Sequence, residues 1–240
     1  MKSSKIIYII FFLASFLNFI LLKECRSQNA GTNPENSTTT SVFLKNEDKV
    51  KGFSTENVPL INLFNIIPHL KTEWHYAGIN NFTGQILYKN PKPYLVKPAA
   101  EALKLVADSL AKRGYGILLF DAYRPHSVSV KMWEIVNNPA YVADPSKGSN
   151  HNRGTAVDIS LYELKTGRQI KMPTEFDDFT AKAHLDYNKL PAKVKNNRNL
   201  LKNIMHHFGF KPYVKEWWHY TFITTEKYKV LDLDFSELPD

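Results

Sequence analysis

The chain has 240 residues, of which 43% are hydrophobic and 13% aromatic, and its formal net charge is +8. Such a composition fits a globular protein whose folded domain of roughly 200 residues can bury a sizeable core. Because no dense run of lysine and arginine occurs, the charge indicates an ordinary basic surface and excludes nucleic acid as an expected partner. Cys25 is the only cysteine, so a disulfide framework and a thiolate zinc site are excluded, and any metal must be bound by histidine, aspartate or glutamate.

The first 27 residues have the pattern of a secretory signal peptide. A short start with two lysines precedes residues 6–22, which are almost wholly apolar. We therefore predict a signal peptide at residues 1–27 and a periplasmic or secreted protein. Two alternatives stay open: lipidation at Cys25, and retention of the apolar segment as an anchor, for which it is just long enough. An interaction with the membrane is expected only in these two cases.

The rest of the chain divides into a polar leader and one folded domain. Residues 28–57 are rich in Ser, Thr and Asn and contain too little apolar surface to fold alone, so a flexible leader is predicted there. No internal repeat and no second linker follows, which predicts a single domain over residues 58–240.

Helices and strands mix without regular alternation in this domain. Residues 98–113 form a predicted helix that Pro98 opens and Gly114 closes, with apolar residues at helical spacing. A short apolar strand is predicted at residues 116–120. The other predicted elements are helices over 126–136 and 197–208 and strands over 155–162 and 217–223. The predicted class is α+β, with a small, mainly antiparallel sheet flanked by helices.

A histidine and an aspartate, His151 and Asp158, stand on either side of a predicted bend at Arg153-Gly154. The bend would let a loop residue and a strand residue point to one place, which an uninterrupted strand would not allow. Together with a second imidazole they would make a catalytic zinc site of three ligands with one open position. Their spacing also fits a surface histidine and an unrelated aspartate at a strand end.

Glu216 and His219 form a second candidate pair. If His219 is the third ligand, Glu216 is close enough in sequence to act as general base on the attacking water and to return the proton to the leaving amine. On a plain strand the two side chains would face apart, so this hypothesis requires a turn or bulge near Trp217. The alternative is an aromatic core strand with incidental polar neighbours.

Arg124 follows a predicted strand end and precedes Pro125. A guanidinium at this place could bind a substrate carboxylate or stabilise the oxyanion of a tetrahedral intermediate. A surface arginine paired with Asp121 is an equally good interpretation of this segment.

Taken together, the segments resemble the VanX-type D-alanyl-D-alanine dipeptidases, within the zinc D,D-peptidases that share the Hedgehog-like fold. The resemblance extends from about Trp74 to Phe222. The segments that carry it are Tyr76-Ala77, residues 81–84, 114–125, 149–158, 161–167, Phe176-Asp177, Gly209-Phe210 and residues 216–220.

The resemblance implies roles for eight residues. It implies one Zn²⁺ per chain, bound by His151, Asp158 and His219. Glu216 would be the catalytic acid and base, and Arg124 would stabilise the transition state. Three further residues would contact a small D,D-dipeptide, namely Ser149, Asp177 and Tyr76. Asp177 would provide the counter-charge for a free α-ammonium and so disfavour longer chains, whose nitrogen at that point is an uncharged amide.

Family members that confer glycopeptide resistance act in the cytoplasm, whereas a signal peptide would export this chain. We therefore expect the exported branch of the family, which recovers D-alanine from wall fragments or an external supply. Two alternatives stay open. One is a D,D-carboxypeptidase acting on peptidoglycan stem peptides, and the other is a non-catalytic, zinc-stabilised module that binds the cell wall. The presence of both Glu216 and Arg124 argues against the second alternative.

Overall fold

The computed structural model describes residues 59–139 and 141–239. The predicted signal peptide at residues 1–27 and the predicted leader at residues 28–57 lie outside the described residues. Within those two described ranges, the strands are β1 (Leu60–Asn62), β2 (Lys71–Thr72), β3 (Tyr94–Val96), β4 (Tyr115–Asp121), β5 (Ala156–Glu163), β6 (Phe210–Pro212) and β7 (His219–Phe222), and the α-helices are α1 (Lys97–Ala111), α2 (His126–Val136) and α3 (Ala192–His207).

The central sheet has the strand order β2-β4-β5-β7-β6, and a separate antiparallel pair is formed by β1 and β3. Only the short edge strand β2 pairs in parallel, with β4, while the other strand pairs of the described chain are antiparallel. The predicted α+β class with a small, mainly antiparallel sheet is therefore confirmed.

The register of the three central strands positions the site. Asp121 at the end of β4 is the partner of Asp158 in β5, after a register shift that follows Leu119. Asp158 is in turn the partner of His219 in β7. Because partner residues on neighbouring strands hold their Cβ atoms about 4.5–5.5 Å apart, this register brings three ionisable side chains together at one end of the sheet.

Two of the predicted helices agree closely with the structure, and the third is wrong at its start. Helix α1 begins one residue before Pro98 and buries an apolar stripe, while α2 has the predicted bounds. Helix α3 begins at Ala192, directly after Pro191, and not at residue 197. Its first turns are mostly polar, and a buried Val194 extends the buried face of the helix towards its N-terminus.

The predicted strand over residues 217–223 is also corrected. Trp217 and Trp218 lie in a turn, and β7 begins only at His219. Both tryptophans are almost fully buried and pack edge to face, with ring centroids 5.4 Å apart. Their burial, and not an extended backbone, explains the aromatic composition of this segment. Within the described ranges, no helix has the length and apolar character needed to cross a membrane.

Candidate active site

Three potential metal ligands converge where β5 and β7 meet the loop before β5. One ligand atom from each of His151, Asp158 and His219 lies within 4.8 Å of the others. His151 Nε2 is 3.2 Å from His219 Nδ1 and 3.4 Å from Asp158 Oδ2. His219 Nδ1 is 2.9 Å from Asp158 Oδ1. The structure thus brings together the three residues that the sequence analysis singled out as metal ligands.

A tight turn directs His151 towards the sheet. Gly154 has a φ of +66°, and its backbone N–H donates to the carbonyl of His151 at 3.0 Å. A Cβ atom at Gly154 would lie 3.0 Å from Leu60 Cδ2 and 3.3 Å from the backbone nitrogen of Val96, so the turn fits closely against β1 and β3. The predicted bend at Arg153-Gly154 is confirmed, and it allows a loop histidine and a strand aspartate to face each other.

The second nitrogen of each imidazole is bound by the protein. His151 Nδ1 lies 2.7 Å from the carbonyl oxygen of Ala122, which can only accept, so this nitrogen carries the proton and Nε2 keeps its lone pair. His219 Nε2 lies 3.3 Å from Thr221 Oγ1, which leaves Nδ1 facing the cluster. The carbonyl acceptor fixes the tautomer of His151, and both contacts hold the orientation of the imidazole rings, as is usual for metal-binding histidines.

The chemistry of this donor set fits Zn²⁺. Nitrogen and oxygen ligands at about 2.0–2.2 Å from a tetrahedral ion are separated by roughly 3.3–3.5 Å, close to the observed distances between these atoms. Burial alone would raise the pKa of Asp158, but the two imidazoles outweigh burial and hold this pKa well below its usual range. For His151, burial lowers the pKa, but the charge and hydrogen bond of Asp158 together with the charge of Asp121 outweigh burial and raise this pKa above its usual value. No fourth His, Cys, Asp or Glu among the described residues joins this cluster, so the donor set matches an open catalytic site.

Glu216 lies beside the cluster in a turn that leads into β7. Its backbone N–H donates to the carbonyl of Tyr213, and the N–H of His219 donates to the carbonyl of Glu216. The predicted turn near Trp217 is therefore confirmed. Glu216 Oε2 is 3.9 Å from His219 Nδ1. Burial raises the pKa of this carboxyl group to about 7, with a smaller contribution from Asp158, so it can accept and release a proton near neutral pH.

Arg124 forms the pair with Asp121 that one interpretation of its sequence segment predicted, and its role towards a substrate stays a prediction. It pairs with Asp121, whose Oδ2 accepts from Arg124 Nε at 3.0 Å and from Arg124 Nη2 at 2.6 Å. The pair is not at the surface, since the Arg124 side chain is 11% exposed and that of Asp121 is fully buried. Asp121 Oδ1 accepts from Tyr88 Oη and from the backbone of Ala122. Asp121 is thus held from several sides and fixes the orientation of the guanidinium.

Asp177 occupies an unusual backbone conformation at the other side of the site. Its φ is +59°, a left-handed value that is unfavourable for most residues with a side chain. Tyr76 donates its hydroxyl to Asp177 Oδ1 at 3.2 Å, whereas the buried Oδ2 has no hydrogen-bond partner among the described residues. Burial, followed by the charge of Asp158, raises the pKa of Asp177 well above its usual value. Such a carboxyl group is suited to receive a cationic partner.

One cavity of about 690 Å³ connects these groups. All eight predicted site residues contribute to its wall: Tyr76, Arg124, Ser149, His151, Asp158, Asp177, Glu216 and His219. Ser149 Oγ accepts from the backbone N–H of Asn152 at 3.2 Å, so the serine is also part of the turn that presents His151. The geometry places the eight residues together, while their individual roles remain predictions.

Several residues of the site were not singled out from the sequence. An aromatic wall is formed by Phe82, Phe179 and Tyr141; the ring of Phe179 is 5.4 Å from that of Phe82 and 4.6 Å from that of Tyr141. Thr221 contacts His219 through its hydroxyl group. The sequence contained a signal for this contact, because residues two positions apart on a strand face the same side. The aromatic wall gave no such signal, since its members come from distant loops.

Comparison with known proteins identifies the family. A family model described as D-ala-D-ala dipeptidase matches residues 56–238. A D-alanyl-D-alanine dipeptidase from Escherichia coli (strain K12) is 33% identical over 182 residues, covering 76% of this chain and 94% of its own. A D-alanyl-D-alanine dipeptidase from Enterococcus faecium is 30% identical over 194 residues, covering 71% of this chain and 94% of its own. Among solved structures, the LD-carboxypeptidase LdcB shows 22% identity over 70% of each chain, with a TM-score of 0.39. The chain therefore belongs to the D-ala-D-ala dipeptidase family and is a metallopeptidase.

Proposed function

We propose that this metallopeptidase hydrolyses the dipeptide D-alanyl-D-alanine to free D-alanine, with one Zn²⁺ per chain held by His151, Asp158 and His219. The proposal is supported by the relatives, which are D-alanyl-D-alanine dipeptidases, and by the His/Asp/His cluster, in which the carbonyl of Ala122 fixes the tautomer of His151. When bound, Zn²⁺ supplies a Lewis acid that lowers the pKa of water and polarises the scissile carbonyl.

The protein side chains then perform the proton transfers and hold the charges. Glu216 takes a proton from the attacking water and passes it to the nitrogen of the leaving D-alanine. Its pKa of about 7 suits both steps at neutral pH. Arg124, oriented by Asp121, offers its remaining N–H groups to the oxygen that becomes negative as the tetrahedral intermediate forms.

The observation that carries the choice of a dipeptide is Asp177. Its buried carboxylate oxygen has no hydrogen-bond partner among the described residues, and Asp177 has a strained backbone conformation on the wall of the same cavity. This oxygen is suited to the α-ammonium of a free dipeptide. A longer peptide would present an uncharged amide nitrogen at this place and leave the carboxyl group unpaired. The site would therefore favour D-Ala-D-Ala over the same two residues at the end of a stem peptide.

A second candidate is D,D-carboxypeptidase activity on peptidoglycan stem peptides. The size of the cavity favours it, because about 690 Å³ is within the range of sites for ligands far larger than a dipeptide of alanine. The aromatic wall of Phe82, Phe179 and Tyr141 would then contact the additional residues of the stem.

We also propose that hydrolysis takes place outside the cytoplasm, in the recycling of wall fragments or the uptake of D-alanine. This part rests on the basic and apolar sequence of residues 1–27 alone. Expression of the full-length chain in a bacterial host followed by N-terminal sequencing tests it. A mature protein that begins near residue 28 in the periplasm is expected, and an intact Met1 in the cytoplasm would refute export.

A competition between substrates tests the activity. The purified full-length chain with Zn²⁺ is given D-Ala-D-Ala and a stem peptide ending in D-Ala-D-Ala, and released D-alanine is measured from each. We expect rapid release from the dipeptide and slow release from the stem peptide. Release mainly from the stem peptide would favour the carboxypeptidase, and release from neither would favour a non-catalytic module.

A further inference from the structure

Lys211 in the edge strand β6 faces the active-site cavity. The register pairs Phe210 with Phe222 and Lys211 with Thr221. Phe210 is fully buried and its ring packs against that of Phe222, so this pair lies on the core side of the sheet. Because side chains alternate along a strand, Lys211 and Thr221 share the opposite face, and both contribute to the cavity wall.

The partner of Lys211 touches the metal cluster directly. Thr221 Oγ1 is 3.3 Å from His219 Nε2 and 3.2 Å from Asn150 Nδ2. Cross-strand partners hold their Cβ atoms about 4.5–5.5 Å apart, and lysine has a long, flexible stem, so the ammonium can reach the region beside His219. No described residue forms an ion pair or hydrogen bond with the side-chain ammonium of Lys211, and this side chain is exposed. The cation is therefore available to a ligand.

The charges on the cavity wall show what such a cation could bind. Among the described wall residues, the fixed positive charges are Arg124 and Lys211. Arg124, whose side chain is 11% exposed, lies beside Asp121 and uses two of its N–H groups on that carboxylate. Asp177 on the same wall is the site proposed above for the substrate's ammonium. A dipeptide also carries a carboxylate at its other end, and Lys211 is the cation on this wall whose charged group no described residue binds.

We propose that Lys211 binds the C-terminal carboxylate of the substrate and so restricts the site to peptides with a free carboxyl end. This inference deepens the proposed function and rests on it for the identity of the substrate. Lys211 would bind the C-terminal end of the substrate, whereas Asp177 would bind its N-terminal ammonium group. A peptide whose carboxylate is replaced by a neutral carboxamide would lose the interaction with the ammonium.

Binding measured in a variant that does not turn over the ligand tests this assignment. The full-length chain carrying Glu216→Gln is loaded with Zn²⁺ and titrated by calorimetry with D-Ala-D-Ala and with D-alanyl-D-alaninamide. The same titrations are made after adding Lys211→Met, Lys211→Arg or, as a matched control, Lys227→Met. Lys227 is exposed and is not part of the cavity wall.

We expect the Glu216→Gln protein to prefer the acid over the amide by about 10- to 100-fold, as one hydrogen bond between charged groups would give. Lys211→Met should abolish this preference by weakening acid binding alone. Unchanged amide binding would show that the fold and the rest of the site are intact. Lys211→Arg should keep most of the preference, and Lys227→Met should keep all of it.

Any one of three results would overturn the assignment. The Glu216→Gln protein could show no preference for the acid over the amide, or the preference could survive Lys211→Met. The third such result is that Lys211→Met weakens the affinity for the acid and for the amide equally. Hydrolysis of D-Ala-D-Ala by the wild-type chain is measured separately. A wild-type chain that does not cleave the dipeptide, together with a Lys211-dependent preference for the acid, would refute the proposed function and leave the carboxylate site standing.

Discussion

The replacement Asp177→Asn removes a negative charge while keeping the size of the side chain. Asparagine tolerates the left-handed backbone found at this position, so the turn should be preserved. Asp177 Oδ2 is buried and lacks a partner in the part of the chain that the structure describes, so a bound ammonium would lose a charged hydrogen bond that water cannot replace. Such a bond contributes about 3 kcal/mol, which corresponds to roughly 100-fold in kcat/KM for D-Ala-D-Ala.

The assay compares the free dipeptide with N-acetyl-D-Ala-D-Ala, whose nitrogen is an uncharged amide. Asp177→Asn should lower kcat/KM for the free dipeptide and leave that for the acetylated one nearly unchanged, so the ratio between them falls by roughly 100-fold. Asp178→Asn is the matched control, because Asp178 accepts from the backbone of Thr180 at 2.9 Å and is not part of the cavity wall. It should leave the ratio as it is.

An equal loss of activity on both dipeptides in Asp177→Asn would refute this reasoning. Such a result would mean that Asp177 supports the structure of the site and does not bind the amino group of the substrate. Unchanged activity on the free dipeptide would have the same consequence for the proposed preference over stem peptides.

Three further predictions concern stability. Asp121→Asn should lower the free energy of unfolding by about 3 kcal/mol because it breaks a buried ion pair, whereas Asp108→Asn, in an exposed pair with a lysine, should cost less than about 1 kcal/mol in urea unfolding. Gly154→Ala should lower the free energy of unfolding by at least about 1 kcal/mol more than Gly84→Ala does. Both glycines have a φ of +66°, but of the two only Gly154 would press an added Cβ atom against neighbouring atoms. Equal losses in the two variants would contradict this account. Removal of zinc by chelation should lower the Tm by about 5–10 °C, and His151→Ala should abolish this shift; a shift that persists would place the metal elsewhere.

The sequence predicted the longer elements and missed the short ones for a physical reason. Helix α1 and strand β4 contain enough residues for a periodic apolar pattern, and α1 also has Pro98 near its start. Strands β1, β2, β3 and β6 have only two or three residues each, too few to show alternation. The segment Trp217-Trp218 shows the converse error, because aromatic residues indicate burial more reliably than they indicate an extended backbone.

The sequence indicated which residues form the candidate site but not how they are arranged in space. The turn at Gly154 has a local signal, since glycine favours a positive φ. The alignment of Asp121, Asp158 and His219 depends on hydrogen bonds between strands far apart in the sequence and on a register shift in β4, which no local pattern specifies. For the same reason the position of Lys211 opposite Thr221 emerged only from the structure.

The most direct test of the central claim is release of D-alanine from D-Ala-D-Ala by the purified full-length chain. The rate is measured with Zn²⁺, after chelation, and for the Glu216→Gln variant loaded with Zn²⁺. We predict rapid, zinc-dependent release by the wild-type chain and a loss of at least about 100-fold in the variant, because the group that accepts and returns the proton is gone. Absence of release by the zinc-loaded wild-type chain, or undiminished release by Glu216→Gln, would contradict the account.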